Sequence, residues 1–571
     1  MNVLFIILGC AVLYVVAYLT YGKFISKKVF KLDDSKVTPA VEINDGQDFV
    51  PAKKGFLLGQ HFSAIAAAGP VNGPILAAVM FGWAPAVLWC LLGAIFIGGV
   101  HDMGSLVASI RHKAKSITEV ILQNVSKRAW ILFMIFIWIT LVYIIVAFTD
   151  LTAGSFVGLW TLENGDQVKG GGIAASSLMY LVLPIIMGLL MHRFPKLTEG
   201  KALLIFLPLV AVAIVVGQYI PITLPFDSLV AQKNGWSVII LVYCLIAAVM
   251  PMWLLLQPRG ALGGYFLYAV LFFAAVGLIF GGFKIEYPAF RGFTAPNGSP
   301  LFPILFITIA CGACSGFHAL VSSGTTCKQL TAESHAKPVG YGGMLLEGMV
   351  ACVSIACVMI VAQGSEILGR APNFIYARGI GRFAELIGIP ATIGISFGLM
   401  AFTTFVYDTL DICTRLGRYI IEELTGWKNI KGKALGTIVT TVVPLIFIFQ
   451  TMTNPDGSTA SAWSIFWGTF GASNQLLAAL ALIGVSVWLR KEVKTPFIWL
   501  VAFIPAVFMF LMSMWALFIA VYNGWILGKG HPVIPYVSVI LIVLALMVAV
   551  ETAISMMGKS KVTAKPAPAA Q

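Results

Sequence analysis

Long apolar segments recur along the whole chain, and short polar stretches separate them. Each segment reaches the length of a membrane-spanning helix, which needs roughly twenty predominantly apolar residues. The pattern therefore predicts an all-α polytopic membrane protein with about fifteen transmembrane helices. The predicted spans cover residues 2–22, 58–82, 84–110, 129–158, 173–191, 201–220, 236–256, 261–282, 300–324, 341–363, 386–412, 434–452, 461–488, 496–523 and 533–556.

The composition excludes several other classes of protein. Of the 571 residues, 59% are hydrophobic and only 11% are charged, whereas a soluble domain has roughly 25% charged residues. A soluble enzyme, a disordered protein and a nucleic-acid-binding domain are therefore excluded. An outer-membrane barrel is excluded too, because its strands would alternate between apolar and polar residues over short segments.

The basic residues predict the orientation of the spans. Of the 37 Lys and Arg residues, 29 lie in the odd-numbered loops and the C-terminal tail, and 8 lie in the even-numbered loops. Basic residues collect in cytoplasmic loops. We therefore expect an outer N-terminus and a cytoplasmic C-terminus, in the inner (plasma) membrane if the source is bacterial.

The spans and loops predict four regions. Residues 1–57 form a first helix with a basic loop, 58–433 a transport core, 434–558 additional helices and 559–571 a disordered tail. The loops leave no room for a soluble domain. The nine cysteines lie mostly within spans, and no second cysteine pair or nearby His/Cys cluster completes a redox or metal site at Cys311 and Cys314.

The second predicted span contains a break near its middle. Gly69-Pro70 and Gly73-Pro74 flank Asn72 and follow three alanines that begin at Ala66. Each proline removes a backbone donor and clashes with the preceding turn, so a regular helix cannot continue. Unwound backbone in a membrane offers carbonyls to a cation and helix N-termini to an anion. We expect substrate to bind at the Gly-Pro residues and Asn72, and a cation at Ala66; a simple proline kink is the alternative.

Two other spans carry residues that favour a break. In the seventh span, Pro251 and Trp253 suggest a second part of the substrate site, with a lone proline kink as the alternative. The second and seventh spans run in opposite directions, as an inverted repeat of five spans requires. In the ninth span, Gly316 and His318 lie in a run of small and polar residues, for which close helix packing is the alternative. The hydroxyl groups that follow suit a sodium site; they belong to Ser322, Ser323, Thr325 and Thr326.

A few ionisable residues fall within the predicted spans. A charge at the bilayer centre costs about 3 kcal/mol or more, so such residues usually face a cavity or a partner. His101, Asp102, Glu347 and Asp408 are candidates for ion coupling, and His318 for transport, because histidine titrates near neutral pH. The alternative for each is structural packing. Three further residues are expected at helix ends or the interface, namely His61, Asp150 and Arg259. His101 and Asp102 are not expected to pair, because neighbours on a helix point about 100° apart.

Several of these motifs, in order, resemble the carbon starvation protein A (CstA) family. They include the run from Gln60 to Pro74, Gly99-Val100-His101-Asp102, Trp253 to Arg259, and Ser315 to His318 with Ser322 to Thr326. The resemblance implies an inner-membrane transporter induced by carbon scarcity, with family members linked to peptide uptake and to pyruvate import with protons. It also implies a LeuT-like core of five plus five spans, formed by spans two to eleven, whose second and seventh spans are broken. The ninth span would then help to hold a coupling cation against the second.

The sequence therefore predicts an ion-coupled secondary transporter and not an enzyme. It contains neither a GxxxxGK[ST] phosphate loop nor an HExxH zinc motif. The expected partners are a small peptide or pyruvate-like substrate, a coupling proton or sodium ion, and the lipid bilayer. Nucleic acid, cofactors and a metal other than a transported sodium are not expected. A passive channel and a nutrient-sensing receptor are the alternatives.

Overall fold

The apolar segments form a bundle of helices in the computed structural model, which describes residues 2–162, 165–427, 429–450, 452–453, 459–493 and 495–557. The predicted disordered tail, 559–571, lies outside the described residues. The first helices are α1 (Val3–Leu19), α2 (Tyr21–Phe24), α3 (Pro39–Ile43), α4 (Lys54–Ile65), α5 (Gly69–Phe81), α6 (Trp83–Gly93), α7 (Gly99–Arg111) and α8 (Ile117–Asn124).

The middle of the chain adds long helices and one small hairpin. These are α9 (Lys127–Val157), β1 (Leu159–Thr161), β2 (Gln167–Lys169), α10 (Gly170–Arg193), α11 (Glu199–Tyr219), α12 (Leu229–Ala247), α13 (Leu256–Phe280), α14 (Leu301–Thr308) and α15 (Gly316–Gly324). Strands β1 and β2 pair in antiparallel register.

The last part of the chain completes the bundle. Its elements are α16 (Gly343–Met359), α17 (Pro372–Glu385), α18 (Ala391–Thr425), α19 (Ile430–Phe449), β3 (Met452–Thr453), β4 (Thr459–Ala460), α20 (Ala462–Glu492), α21 (Leu500–Val521) and α22 (Val533–Met556). Short π-helical turns lie at Ile25–Val29, Ala94–Gly98, Lys337–Gly342 and Tyr522–Ile526.

The structure agrees closely with the predicted number of spans. Within the described ranges, 13 helices are long and apolar enough to cross a membrane, or 14 if α4 and α5, which meet at 46°, are one span. The remaining predicted span, 300–324, is divided between α14 and α15, each of which is too short to cross a bilayer alone. The predicted break in the seventh span is wrong. Residues 248–255 form a connection, because α12 ends at Ala247 and α13 begins at Leu256.

Two sets of five helices form the core, and each set begins with a broken helix. The first set consists of α4/α5, α6/α7, α9, α12 and α13, and the second of α14/α15, α16, α18, α19 and α20. Corresponding helices make corresponding contacts: α4 packs on α13 as α15 packs on α20, and α9 packs on α12 as α18 packs on α19. The two broken helices cross in opposite directions, because α4 contacts α15 while α5 contacts α14. The five-plus-five core with broken helices is confirmed.

The membership of the repeats differs from the prediction. The second broken helix belongs to the ninth predicted span and not to the seventh, because the hairpin of α10 and α11 is inserted within the first repeat. The two repeats together extend from Lys54 to Glu492, beyond the predicted core boundary at residue 433. Helices α1, α21 and α22 pack around this core.

The basic loops lie together at one end of the bundle. Segment 30–53 crosses this end and contacts several other connections. The backbone N–H of Ala52 donates to Gln329, that of Met252 donates to Gln47, and Arg111 pairs with Glu333 at 2.9 Å. Helix α8 packs there against α9 and α20.

Candidate functional site

The first break lies between α4 and α5, directly before the Gly-Pro pairs. The expected interruption at Gly73-Pro74 is wrong, because Pro74 lies inside α5. Residues 66–68 leave the helix, and Pro70 occupies the first turn of α5, where a missing backbone donor is tolerated. Gly69, Asn72 and Gly73 are fully enclosed by the bundle. Both side-chain amide atoms of Asn72 are buried, and neither has a hydrogen-bond partner among the described residues. Asn72 is therefore a buried polar group for which the described part of the chain supplies no partner.

The second break lies between α14 and α15, where residues 309–315 separate the two helices. Gly312 has φ +87°, a left-handed conformation that favours glycine. Its N–H donates to Glu347 Oε1 at 3.1 Å. The N–H of Phe317, at the start of α15, donates to Asn474 Oδ1 at 2.9 Å. Side chains from α16 and α20 therefore satisfy part of the backbone that the break exposes.

The two breaks touch each other directly. A Cβ added at Gly69 would overlap Cys311, and one added at Gly73 would overlap the carbonyl oxygen of Thr308. A Cβ at Gly312 would lie 3.6 Å from Pro70. Gly73 therefore has no room for a side chain because backbone lies against it, and Gly69 has none because the Cys311 side chain lies against it. Gly69 and Pro70, predicted for substrate, thus lie against the second break, and the predicted residues Gly316 and His318 lie in the first turn of α15 directly after that break.

Four predicted ionisable residues meet beside the second break. His318 Nδ1 lies 2.8 Å from Asp102 Oδ2, and His101 Nδ1 lies 2.8 Å from Asp102 Oδ1. His318 Nε2 lies 3.2 Å from Glu347 Oε2, in an orientation that makes no hydrogen bond. All four side chains are fully buried. The expectation that His101 and Asp102 do not pair is wrong, because the flexible side chains bend towards each other from adjacent positions.

Cys311 joins this cluster, contrary to the expectation that its surroundings lack metal ligands. The Sγ of Cys311, a ring nitrogen of His318 and a carboxylate oxygen of Glu347 all lie within 4.8 Å of one another. The sequence did not reveal this group, because its three residues lie on different elements. Cys311 lies in the break, His318 on α15 and Glu347 on α16.

A second buried charge cluster joins α4, α12, α13 and α18. Arg259 Nε donates to Asp408 Oδ1 at 2.5 Å, and Arg259 also bonds to Asp411 and to the Tyr243 hydroxyl. Ser63, three residues before the first break, donates its hydroxyl proton to Asp408 Oδ2. Arg259 is 0% exposed. Arg259 thus lies near the end of α13, as expected, but its burial means that it is not an exposed anchor at the membrane interface.

Other predicted residues lie away from these clusters or have local partners. Pro251 and Trp253 belong to the connection before α13, and the Trp253 ring stacks on His192 with 4.2 Å between ring centroids. They are therefore not part of a second break, and the structure does not bring them to the crossing. His61 is buried, not interfacial, and its Nδ1 lies 2.9 Å from Thr326 Oγ1. Asp150 accepts a hydrogen bond from the N–H of Trp463 in the first turn of α20, which agrees with its expected capping role.

The four hydroxyl groups predicted for sodium do not share one set of partners. Ser323 and Thr325 donate to carbonyls one turn earlier in α15, and Ser323 also accepts from the N–H of Ile117. Thr326 contacts His61, and the Ser322 hydroxyl is buried without a partner in the part of the chain that the structure describes. Most of these oxygens are thus engaged in local structure.

Sequence reasoning missed several buried polar groups in the helices of the bundle. Thr149, Tyr376 and Thr404 carry buried hydroxyls without partners among the described residues. They come from α9, α17 and α18, which pack on one another or on α5. Threonine and tyrosine in apolar helices give no distinctive sequence signal. A residue inventory restricted to charged side chains therefore could not find them.

Comparison with known proteins extends over most of the chain. The family profile described as Carbon starvation protein CstA matches residues 2–373 and 363–516. The Peptide transporter CstA of Campylobacter jejuni is 31% identical over 581 residues, covering 90% of this chain and 80% of the relative. The Pyruvate/proton symporter BtsT of Escherichia coli is 29% identical over 598 residues, covering 90% and 81%. A crystal structure of the Eremococcus coleocola manganese transporter aligns with 91% of this chain and 99% of its own, at 12% identity and a TM-score of 0.49.

Proposed function

Because the chain belongs to the carbon starvation protein CstA family, we propose that it is an ion-coupled importer of small peptides or pyruvate-like carboxylates that serves the cell during carbon starvation. The crossing of the two broken helices is the observation that carries this proposal. Non-helical backbone at membrane depth is tolerated where it is buried in protein or lines a cavity. Transporters use such discontinuous helices to bind solutes near the middle of the membrane.

The substrate site that we propose lies at the start of α5 and of α15. The N-terminal end of a helix carries a partial positive charge, so the starts of α5 and α15 suit the carboxylate of pyruvate or of a peptide C-terminus. Gly69, Pro70 and Gly73 keep the start of α5 close to residues 308–312 at the second break. The predicted substrate residues Pro74 and Gly316 follow at the beginning of α5 and of α15. Asn72 supplies an amide that can both donate and accept a hydrogen bond. These features support a small, polar, anionic solute.

We propose that the coupling ion is a proton carried by the Arg259 cluster. One guanidinium faces two carboxylates in a dry site, so the cluster holds an excess negative charge when both are ionised. A proton on Asp408 removes this excess, and an unbalanced buried charge is costly. Three hydroxyl groups also surround Arg259 and its two carboxylates, and they belong to Tyr243, Tyr180 and Ser63.

The position of Asp408 gives the proton a route to the broken helix. Ser63 on α4 donates to Asp408, and the neighbouring Thr409 hydroxyl donates to the carbonyl of Ala64 at 3.2 Å. Both α4 residues directly precede the first break. Protonation of Asp408 would weaken the attraction of α18 for Arg259 and for the Ser63 hydroxyl, and so alter the contact between α18 and α4. This contact provides the physical link between proton binding and movement of the substrate site.

Two observations favour a proton over sodium. The hydroxyls of Ser323, Thr325 and Thr326 already bond to protein groups, and the relative BtsT bears the name pyruvate/proton symporter. A sodium ion at Ala66 and the hydroxyls 322–326 stays the competing prediction. The predicted ion-coupling role of His101, Asp102 and Glu347 also stays a prediction.

Uptake into proteoliposomes tests the function and the ion together. Labelled pyruvate and a labelled dipeptide would each be offered with an inward proton gradient alone, a sodium gradient alone, or neither. We expect accumulation of at least one solute with the proton gradient, and its loss when an ionophore dissipates that gradient. Accumulation driven by sodium alone would contradict proton coupling. Flux that neither saturates nor accumulates would indicate a channel, and binding without flux a receptor.

The Asp408→Asn variant locates the coupling step. Asparagine imitates the protonated carboxyl, so we expect exchange of labelled for unlabelled solute to continue while proton-driven accumulation is lost. Asp227→Asn, at an exposed position, is the matched control and should accumulate solute like the wild type. Wild-type accumulation by Asp408→Asn would refute the assignment of the proton to this cluster.

We also propose that the protein lies in a bacterial inner membrane with its N-terminus outside and its C-terminus in the cytoplasm. The support is the collection of basic loops at one end of the bundle, where segment 30–53 meets residues 252 and 329. A reporter that is active only in the cytoplasm, fused after residue 571, should be active. Activity of a periplasm-specific reporter at that position would contradict the proposed orientation.

A further inference from the structure

Three different elements aim metal-ligating atoms at one point beside the second break. Cys311 lies in the break itself, His318 lies on α15 and Glu347 lies on α16. One ligand atom from each residue falls within 4.8 Å of the other two. All three residues are at least 96% buried, since Cys311 is 4% exposed and the other two are 0% exposed. The cluster is thus a compact, water-poor set of one sulfur, one nitrogen and one carboxylate ligand.

Two atoms of this cluster lack the partners that buried polar atoms normally have. His318 Nε2 and Glu347 Oε2 lie 3.2 Å apart, yet neither makes a hydrogen bond within the described part of the chain. Buried polar atoms are satisfied in most proteins, and each exception calls for an explanation. A metal ion between the imidazole nitrogen, the carboxylate oxygen and the thiolate would satisfy both atoms.

The surrounding groups hold the ligands as metal sites require. Asp102 Oδ2 lies 2.8 Å from His318 Nδ1, so the carboxylate can fix the ring with Nε2 free to bind a metal. The N–H of Gly312 holds the other oxygen of Glu347, and the side-chain amide of Asn474 contacts Cys311 Sγ at 3.6 Å. A carboxylate–histidine–metal arrangement with an oriented second carboxylate is common in zinc proteins.

We propose that Cys311, His318 and Glu347 form a binding site for one borderline or soft divalent transition metal ion, of which Zn²⁺ is the best match. Cysteine and histidine ligands favour such ions, whereas Mg²⁺ and Ca²⁺ prefer sites built from oxygen atoms alone. Three protein ligands leave a fourth position for water or for an atom of a solute. The bound ion joins the broken segment, α15 and α16, and therefore restrains the second broken helix.

Cobalt(II) is a suitable probe for the purified full-length protein, because a thiolate ligand gives a charge-transfer band in the near ultraviolet. The protein would be stripped with a chelator, titrated with Co²⁺ in detergent, and then titrated with Zn²⁺. We expect one Co²⁺ per chain with a thiolate band, and displacement of Co²⁺ by Zn²⁺. Absence of stoichiometric binding to the wild type would overturn the proposal.

Matched variants identify the ligands. Cys311→Ser should lose the thiolate band, whereas Cys314→Ser, three residues away in the same break, should retain it. Glu347→Gln should weaken binding, and Asp102→Asn should weaken it by about 10–100-fold through loss of the support for His318. Zn²⁺ should raise the melting temperature of the wild type and of Cys314→Ser, but not that of Cys311→Ser.

The readouts do not depend on transport, so they separate this proposal from the proposed function. Size-exclusion chromatography shows which variants are folded. If Cys311→Ser does not fold, Glu347→Gln serves as the test variant. An unchanged thiolate band in Cys311→Ser would refute the site. Equal Co²⁺ affinity in the wild type and Glu347→Gln would do the same for the carboxylate ligand.

Discussion

Replacement of Arg259 by glutamine gives a quantitative test of the buried charge cluster. The side chain is 0% exposed and faces both Asp408 and Asp411, each 2% exposed. Arg259→Gln leaves two carboxylates in the bundle with no guanidinium between them. Removal of one partner from a buried ion pair costs about 3–5 kcal/mol, because the remaining charge is uncompensated. We expect a loss of stability of this size.

The companion variant Asp408→Asn should cost much less. Arg259 keeps its pairing with Asp411, and the asparagine oxygen still accepts one of the two hydrogen bonds that Asp408 accepts from Arg259 and Ser63. The change therefore removes one charge-assisted hydrogen bond, worth about 1.5–3 kcal/mol. In the double variant one of the two unpaired carboxylates is gone as well. The double variant should therefore be more stable than the sum of the single effects predicts, by about 1–3 kcal/mol, a typical coupling between contacting residues.

Thermal melting and denaturant titration of the purified proteins in detergent measure the relative stabilities of these variants. Arg382→Gln removes an exposed arginine that lies over the Phe283 ring and should lower stability by about 0.5–1 kcal/mol at most. The reasoning is refuted if Arg259→Gln is as stable as Arg382→Gln. It is also refuted if the two single effects simply add in the double variant.

Three further predictions follow from the crossing and its surroundings. Gly73→Ala should abolish uptake, because its Cβ would overlap the Thr308 carbonyl, whereas Gly55→Ala, with open space at the same distance, should transport normally in the proteoliposome assay. Asp150→Ala should lower the unfolding free energy by about 1.5–3 kcal/mol, measured by denaturant titration, because Lys233 at 2.6 Å and a backbone N–H of α20 lose a charged partner. Trp253→Ala should leave the KM for substrate within about threefold of the wild type, a difference of only about 0.7 kcal/mol, and a much larger rise would return the connection before α13 to the substrate site.

Much of the fold could be predicted from the sequence, because a helix that spans a membrane must be long and apolar. Apolar length predicted the spans, and the doubled Gly-Pro pairs predicted a break in the second span, which the structure has at residues 66–68, directly before those pairs. The same reasoning failed at Pro251. A proline between two apolar segments has the same local signature in a connection as in a broken span, and only the helix ends at Ala247 and Leu256 distinguish them.

The candidate sites were partly predictable for a related reason. Ionisable residues are rare in spans, so Asp102, His318, Glu347 and Asp408 were conspicuous as individual residues. Their grouping was not, because contacts between residues far apart in the chain leave no trace in local spacing. Arg259 was misjudged for the same reason. Its position near the end of an apolar run suggested the interface, while its carboxylate partners lie about 150 residues further along the chain.

The sequence alone thus determined which segments enter the membrane and which residues are too polar to lie there without a partner, because both depend on the transfer of local groups out of water. Tertiary structure decided which polar residues become partners. It placed the second broken helix in the ninth span, inserted the α10–α11 hairpin within the first repeat, and brought Cys311, His318 and Glu347 together. These outcomes depend on contacts between helices that are far apart in the chain. Such contacts are set by the packing of side chains and by the close approach of backbones at glycine, and neither can be read from local sequence.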